Sequence, residues 1–241
     1  MTATVVLVHG AWHGAWCWER VTPLLAAAGV PHRAIDLPGH GDDRRPFADL
    51  YGDADAVSAE LDSIEGPVVL VGHSYGGAVI TDAGVHERVQ HLVYVTAFAL
   101  DARESLAAAV VDEAAAADIQ HVSPGLGDLM TVHDDGTSTL PAAAVADLLY
   151  NACDPPTQRW ATERVGAQPL ANMAQSPRAV AWRSRASTYV VCERDRAIVP
   201  PLQRSMASRC TATHSLDVDH SPFASNPAAL TDILAELAQR Y

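Results

Sequence analysis

A serine between two closely spaced glycines is the first place in the sequence where residue types and spacing could support covalent chemistry. Ser74 lies in the segment Gly72-His-Ser-Tyr-Gly76, directly after the apolar run 68–71 and before a predicted helix. A sharp turn from strand to helix strains the backbone of its central serine and tolerates only small residues two positions to either side. The spacing therefore predicts that Ser74 is a nucleophile whose hydroxyl projects beyond the edge of a sheet.

A serine hydroxyl attacks a carbonyl at neutral pH only when a neutral imidazole can take its proton. His220 follows an apolar run that ends at Val218, and it precedes Ser221-Pro222, which opens a loop before the last predicted helix. His214 is the alternative, but it lies before or inside that predicted strand, where a structural histidine is commoner. We predict that His220 is the general base.

The carboxylate that orients such a histidine is expected between the serine and the histidine in the sequence, shortly after a strand. Asp195 meets both conditions, because it follows the apolar run 188–192 by three residues. Glu193 is the neighbouring alternative, and a further alternative is that both carboxylates only pair with arginines on a solvated loop. We predict that Asp195 accepts a hydrogen bond from Nδ1 of His220.

Two backbone N–H groups are predicted to bind the oxygen that becomes negative when a carbonyl is attacked. One belongs to Tyr75, at the start of the helix that follows the serine, where the helix dipole also favours negative charge. The second is expected in the loop 9–14 after the first strand, and Ala11 is our choice. The alternative for this loop is that His9 and Gly10 only shape its turn.

Continuous apolar runs alternate with helical patterns along most of the chain. Runs without polar alternation are typical of parallel strands that are covered on both faces, and helices between them supply that cover. We therefore predict an α/β fold with a doubly wound, mostly parallel sheet, in which the sites follow the carboxyl ends of strands. The predicted strands are 5–8, 34–37, 68–72, 92–95, 188–192 and 213–218, and the predicted helices are 16–28, 53–64, 76–85, 202–208 and 227–240.

The alternation breaks between about residues 98 and 187, which we interpret as a small helical and hairpin cap inserted into a single domain that spans 1–241. An alanine-rich stretch opens it, Asp135-Gly136 predicts a hairpin turn, and 142–150 and 156–164 predict helices. The position of the cap suggests that it walls a substrate pocket. Candidate pocket residues, which are equally good core residues, are Trp12, Leu129, Met130, Trp160 and Leu170.

Charge and missing motifs narrow the classes of function. The net charge of -13 repels nucleic acid and anionic lipid surfaces, and it favours neutral esters or lactones over anionic substrates. No cofactor or metal is implied, because no histidine or cysteine spacing fits zinc and the loop 36–41, in which Pro38 removes an amide donor, is interpreted as a structural turn. With no secretory leader and no apolar stretch of membrane length, we expect a cytoplasmic protein. A homodimer is an open alternative.

Four segments together resemble the α/β-hydrolase family, and more closely its plant methylesterase and hydroxynitrile lyase branch with bacterial esterase relatives. They are 5–18, 36–41, the turn at Ser74, and 189–198. The resemblance implies a carboxylesterase-like carboxylic ester hydrolase with a Ser-His-Asp triad and with oxyanion donors at Ala11 and Tyr75. The lyase members have threonine in place of Gly10 and lysine in place of Ser221. Both departures disfavour cyanohydrin cleavage, which needs a cation near the leaving anion.

We therefore expect cleavage of a small carboxylic ester or lactone through an acyl-enzyme on Ser74. Two other functions remain open at this point, because one fold can host several chemistries. The first is a non-hydrolytic lyase or cyclase that uses the same scaffold. The second is a protein that binds small molecules in the pocket and has lost turnover.

Overall fold

The computed structural model describes residues 2–109 and 126–241. Its strands are β1 (Thr4–Val8), β2 (His32–Ile35), β3 (Val68–His73), β4 (Val89–Val95), β5 (Thr131–Val132), β6 (Thr137–Thr139), β7 (Gln168–Pro169), β8 (Ala186–Cys192) and β9 (Ala212–Leu216). Six of them form a central sheet in the order β2-β1-β3-β4-β8-β9, and all neighbours in it run parallel. Residues 5–8 and 68–71 are fully buried, as expected of strands covered on both faces.

Helices follow most of these strands. They are α1 (Thr22–Ala27), α2 (Leu50–Asp62), α3 (Gly76–Ala83), α4 (Leu126–Leu129), α5 (Ala142–Ala144), α6 (Pro155–Thr162), α7 (Ala171–Ala174), α8 (Pro200–Ala207), α9 (Pro222–Ser225) and α10 (Pro227–Ala238). The helix α3 packs on α2 and on β3, whereas α10 contacts α1, β1 and β3. The predicted α/β fold with a doubly wound, parallel sheet is confirmed.

The second strand lies two residues earlier than predicted, at His32–Ile35 rather than 34–37. The chain leaves the sheet after Ile35, where the imidazole of His9 and the backbone of Ala15 contact it. The N–H of Leu37 donates to Nε2 of His9 at 3.1 Å, and a carboxylate oxygen of Asp36 accepts from the N–H of Ala15 at 2.6 Å. These contacts hold Asp36 and Leu37 against the segment that follows β1.

The prediction of one continuous helix over 16–28 is wrong. The chain forms a short 3-10 helix at Ala15–Trp18 and then the separate helix α1 from Thr22. Pro23 lies in the first turn of α1, where its missing N–H needs no partner inside the helix. At that position proline begins a helix and cannot continue one from the preceding turn.

The described part of the cap contains the predicted hairpin and short helices. The strands β5 and β6 pair antiparallel around Gly136, whose φ of 79° suits glycine, and β7 adds a third strand. The prediction of a helix over 142–150 corresponds to α5 followed by a wider π-helical turn at Val145–Leu149, and the next predicted helix corresponds to α6. Most of the alanine-rich stretch, 110–125, lies outside the described residues.

The sheet order brings chemically important residues of distant sequence position to one edge. Ser74 follows β3, Asp195 follows β8 and His220 follows β9, all at carboxyl ends of parallel strands. In the sheet, β3 is separated from β8 only by β4. Among the described residues, no helix has the length and apolar character needed to cross a bilayer.

Candidate active site

The turn between β3 and α3 holds Ser74 in a strained conformation with a φ of 53°. A Cβ added to Gly72 would lie 2.4 Å from the carbonyl oxygen of Gly76, and one added to Gly76 would lie 2.6 Å from that of His9. Both glycines are therefore required by close backbone approach, as the spacing predicted. The side chain of Ser74 stays partly exposed although its two neighbours are buried, so its hydroxyl remains accessible.

Asp195 and His220 are in direct contact at the carboxyl edge of the sheet. Both are buried, and Nδ1 of His220 lies 2.7 Å from Oδ2 of Asp195. A carboxylate oxygen can only accept here, so Nδ1 carries the proton and donates it. This tautomer leaves the lone pair on Nε2, which is the atom that a general base uses.

Asp195 is surrounded by hydrogen-bond donors. Its Oδ1 accepts from the N–H groups of Ala197 at 2.7 Å and Ile198 at 2.9 Å. Its Oδ2 accepts from the hydroxyl of Thr96 and from Nε2 of Gln203, the latter at 3.2 Å. Each oxygen thus has at least two donors, an arrangement that orients the carboxylate toward the histidine.

Sequence reasoning did not single out Thr96 and Gln203. The position of Thr96 offered a usable indication, because it directly follows β4, and β4 pairs with the strand that precedes Asp195. Gln203 lies on α8 with no comparable pattern around it. Its amide becomes recognisable as part of the site only when α8 is packed beside the end of β8.

His73, the residue before Ser74, contacts the loop that carries His220. Its Nε2 donates to the carbonyl oxygen of His220 at 2.8 Å, and the two rings lie 4.7 Å apart. Burial, reinforced by the neighbouring histidines His220 and His13, holds the pKa of His73 well below its usual value, so the ring is neutral. Within the described residues the hydroxyl of Ser74 makes no hydrogen bond, and His73 is the link between Ser74 and His220. Catalytic hydrogen bonds in unliganded enzymes commonly tighten only when substrate binds.

The loop after β1 lies against the serine. A Cβ added to Gly10 would come within 2.9 Å of Cβ of Ser74 and 2.8 Å of Nδ1 of His73. Ala11 and Tyr75 are both buried, and their N–H groups donate to no acceptor in residues 2–109 or 126–241. Because buried N–H groups are nearly always paired, these two are candidates for binding a substrate oxygen.

Trp12, one of the predicted pocket residues, fastens this loop to the cap. Its N–H donates to Oε1 of Gln168 at 3.3 Å, its indole Nε1 donates to Oγ of Ser138 at 3.2 Å, and its carbonyl accepts from the N–H of Gly166 at 2.8 Å. Its φ of 62° places it among the few non-glycine residues with a left-handed backbone. The geometry of the loop after β1 therefore depends on the cap.

The other predicted pocket residues lie within the cap. Trp160 is half-buried, with its ring edge-on to Trp16 at 5.1 Å and with the guanidinium groups of Arg20 and Arg164 at 5.2 and 5.3 Å. Leu129, Met130 and Leu170 are also half-buried. A cavity of about 490 Å³ lies between the loops after β1 and β2 and the cap, and none of the predicted pocket residues lines it.

The two rivals for the catalytic roles lie elsewhere. Glu193 forms an ion pair with Arg204 of α8 at 2.6 Å and is partly exposed. His214 lies inside β9, paired with Val190 of β8, and is half-buried. The structure therefore brings Asp195, and not Glu193, to His220.

Asp219 ties the histidine loop to the cap, a role that the sequence did not indicate. This buried carboxylate accepts from the N–H of Ala152 in the cap at 2.7 Å. Its other oxygen accepts from the N–H of Ser221 at 3.1 Å and from the hydroxyl of Ser225 at 2.8 Å. Asp219, the residue before His220, thus binds the residue after it and the cap together.

Comparison with known proteins gives consistent results. A model of the alpha/beta hydrolase family matches residues 5–233. Two curated relatives are each 30% identical to the chain: "Alpha/beta hydrolase nvfD" of Aspergillus novofumigatus, with 97% of this chain and 96% of the relative aligned, and "Methylesterase 3" of Arabidopsis thaliana, with 98% and 96% aligned.

A solved structure with the same fold is that of polyneuridine aldehyde esterase. It superposes with a TM-score of 0.84 at 21% identity, and the match covers 99% of this chain and 100% of the other. At this identity the superposition bears on the fold, and the fold agrees with the family model.

Proposed function

Since the chain belongs to the α/β-hydrolase family and is a carboxylic ester hydrolase, we propose that it cleaves a small ester or lactone through an acyl-enzyme on Ser74. The observation that carries this proposal is the buried contact between Asp195 and His220 at the same sheet edge as the strained turn of Ser74. A neutral imidazole with its free nitrogen at this edge is the base that a serine nucleophile requires.

The proposed reaction has two halves. In the first, Oγ of Ser74 bonds to the ester carbonyl carbon while its proton passes to Nε2 of His220, and the negative oxygen is held by the N–H groups of Ala11 and Tyr75. The bond from carbon to the alcohol oxygen then breaks, and His220 returns the proton to the leaving alcohol. In the second half, a water loses its proton to His220 and attacks the acyl-enzyme, which releases the acid and restores Ser74.

The position of Gly10 supports hydrolysis over cyanohydrin cleavage. Any side chain there would crowd both Ser74 and His73, so this position suits a residue without a side chain. Ser221 places no cation beside His220. The relatives named as methylesterases support esters as the substrate class, and the acidic net charge favours neutral ones.

Labelling with a fluorophosphonate tests this proposal, because such a reagent captures only an activated serine. We expect stoichiometric labelling of the wild type at Ser74 and a burst with 4-nitrophenyl acetate. Ser74→Ala should lose both, with turnover falling by roughly a thousandfold or more while the circular dichroism spectrum is unchanged. Ser58→Ala, on α2, is the matched control and should label like the wild type. Persistent labelling or turnover in Ser74→Ala would contradict the proposal.

A further inference from the structure

A second buried polar cluster adjoins the serine turn through Tyr75, the residue directly after Ser74. It consists of Asp53 on α2, Tyr75 directly after the nucleophile, and Asn172 on α7 of the cap, and we call it the Asp53 cluster. The hydroxyl of Tyr75 donates to Oδ2 of Asp53 at 2.5 Å. The amide Nδ2 of Asn172 donates to that same oxygen and to the hydroxyl oxygen of Tyr75, both at 2.9 Å.

These three side chains are at most 1% exposed, so water does not complete their hydrogen bonds from the surface. The cluster joins the cap, through Asn172, to the residue whose N–H is proposed to hold the substrate oxygen. Asp53 of α2 and Asn172 of the cap both bond to the hydroxyl of Tyr75, and they also bond to each other. A change in the cluster is therefore transmitted to the oxyanion donor and to the cap together.

The donors and acceptors of the cluster do not balance. Its donors are the Tyr75 hydroxyl and the Asn172 amide, and both are already used. Oδ1 of Asp53 and Oδ1 of Asn172 have no partner among the described residues. Each buried polar atom left unpaired costs about 1–3 kcal/mol. One proton on Asp53 converts an unpaired acceptor into a donor and removes a buried charge.

The charged groups near Asp53 do not compensate a negative charge there. No arginine forms an ion pair with Asp53 among the described residues, whereas the nearby buried Asp82 is paired with Arg178 at 2.8 Å. Burial raises the pKa of Asp53 to about 7, and the hydrogen bonds from Tyr75 and Asn172 oppose this rise only in part. The more distant charges act in opposite directions, since Asp49 raises this pKa and Arg45 lowers it.

We propose that Asp53 is a positioning residue for the esterase reaction: in its neutral form it holds Tyr75 and the cap for catalysis, and in its charged form it disfavours the oxyanion. This inference rests on the proposed function. A carboxylate at the hydroxyl end of Tyr75 repels the negative charge that develops at the backbone end of the same residue. It also leaves Oδ1 without a donor among the described residues.

The consequence is an alkaline limb in the pH dependence of kcat. Ionisation of Asp53 lowers the rate as the pH passes through the pKa of this carboxyl, about 7. A residue with a purely structural role would change the rate without moving this limb.

Asp53→Asn is the decisive variant, because the amide copies the protonated carboxyl: it accepts from Tyr75 and Asn172 and carries a donor of its own. With 4-nitrophenyl acetate read at an isosbestic wavelength, the ratio of variant to wild-type kcat should rise about tenfold between about pH 6 and about pH 8.5. An infrared band of a protonated carboxyl, present in the wild type near pH 6, should be missing from the variant. A constant ratio would overturn the inference.

Tyr75→Phe keeps the test decisive if Asp53→Asn does not fold. The hydrogen bond from Tyr75 favours the charged carboxylate, so its loss should move the alkaline limb to higher pH by at least about half a unit. Tyr94→Phe removes another buried phenol hydroxyl, bonded to Thr81 at 3.0 Å, and should leave the limb in place. An unmoved limb in Tyr75→Phe would refute the role of Asp53, while Ser74→Ala would still report separately on the esterase mechanism.

Discussion

Asp195 and Asp53 are both buried carboxyl groups near the serine turn, yet their surroundings differ. Asp195 has donors at both oxygens: two backbone N–H groups at Oδ1, and the side chains of Thr96, Gln203 and His220 at Oδ2. Within the described ranges, Asp53 has two donors at one oxygen and none at the other. Burial alone penalises a charge in either place, so the number of donors decides what each group can do.

The comparison separates two uses of a buried acid. A carboxylate that is saturated with donors is a fixed acceptor, which suits the task of orienting an imidazole and stabilising it when it is protonated. A carboxyl with one bare oxygen is suited to holding a proton of its own. We therefore expect opposite effects when each of the two acids is replaced by the corresponding amide.

The largest effect is expected for Asp195→Asn. An amide oriented by the surrounding donors presents a wrong partner to Nδ1–H of His220, so the imidazole loses its tautomer and its orientation. We expect kcat to fall by roughly 10³–10⁴, with little change in KM, in steady-state kinetics with 4-nitrophenyl acetate. A loss of less than about tenfold would show that Asp195 does not serve the histidine.

The next largest effect is expected for Asp53→Asn, on the pH dependence of stability. The pKa of Asp53 is raised from 3.8 to about 7, so the folded chain keeps a proton that the unfolded chain releases above pH 3.8. Stabilisation by this proton is complete below about pH 4 and is lost as the pH rises through 7. The free energy of unfolding of the wild type should therefore fall relative to the variant by about 3 kcal/mol between about pH 5 and about pH 8.

Urea unfolding at these two pH values checks that expectation. The buried histidines act in the opposite sense: burial lowers the pKa of His13 to about 4, for example, so its contribution is lost as the pH falls below its ordinary value of 6.5. Wild type and variant share these histidines, and their difference isolates Asp53. An equal pH slope in both proteins would mean that Asp53 is charged in the fold.

Removing one donor from Asp195 should have a moderate effect. Thr96→Val keeps the branched shape and deletes the hydroxyl, which leaves Oδ2 with Gln203 and His220. We expect kcat to fall about tenfold because the carboxylate is held less firmly. Thr231→Val deletes a buried hydroxyl that donates to Pro227 in α10, and it should leave kcat unchanged. Equal rates in the two variants would contradict this role of Thr96.

The smallest effect is expected for Glu193→Gln, at the acid that competes with Asp195 by sequence position. Its carboxylate pairs with Arg204 at the surface, and such pairs contribute little. We expect kcat within about twofold of the wild type and an unchanged melting temperature. A loss approaching that of Asp195→Asn would reverse the assignment of the acid.

Local sequence pattern was enough for the elements closest to the chemistry. The turn at Ser74 requires glycines on both sides, and the requirement at Gly72 can be recognised from spacing because it arises from contact with Gly76 in the same turn, whereas Gly76 is crowded by the carbonyl oxygen of the distant His9. The local sequence pattern was insufficient for the segment 16–28, where a helical apolar pattern concealed the break before Pro23. The end of β2 was also misplaced, because a side chain from another loop, His9, takes the N–H of Leu37.

By itself, the sequence determined the α/β fold and the serine turn and predicted the order of nucleophile, acid and base, because strand and helix periodicity and the order of elements can be recognised along the chain. Only the tertiary structure decided which polar groups meet. Thr96 and Asp195 are 99 residues apart, and Asp53 and Asn172 are 119 apart. Whether a buried acid is saturated with donors or left with a bare oxygen depends on such distant partners, and no local pattern records them.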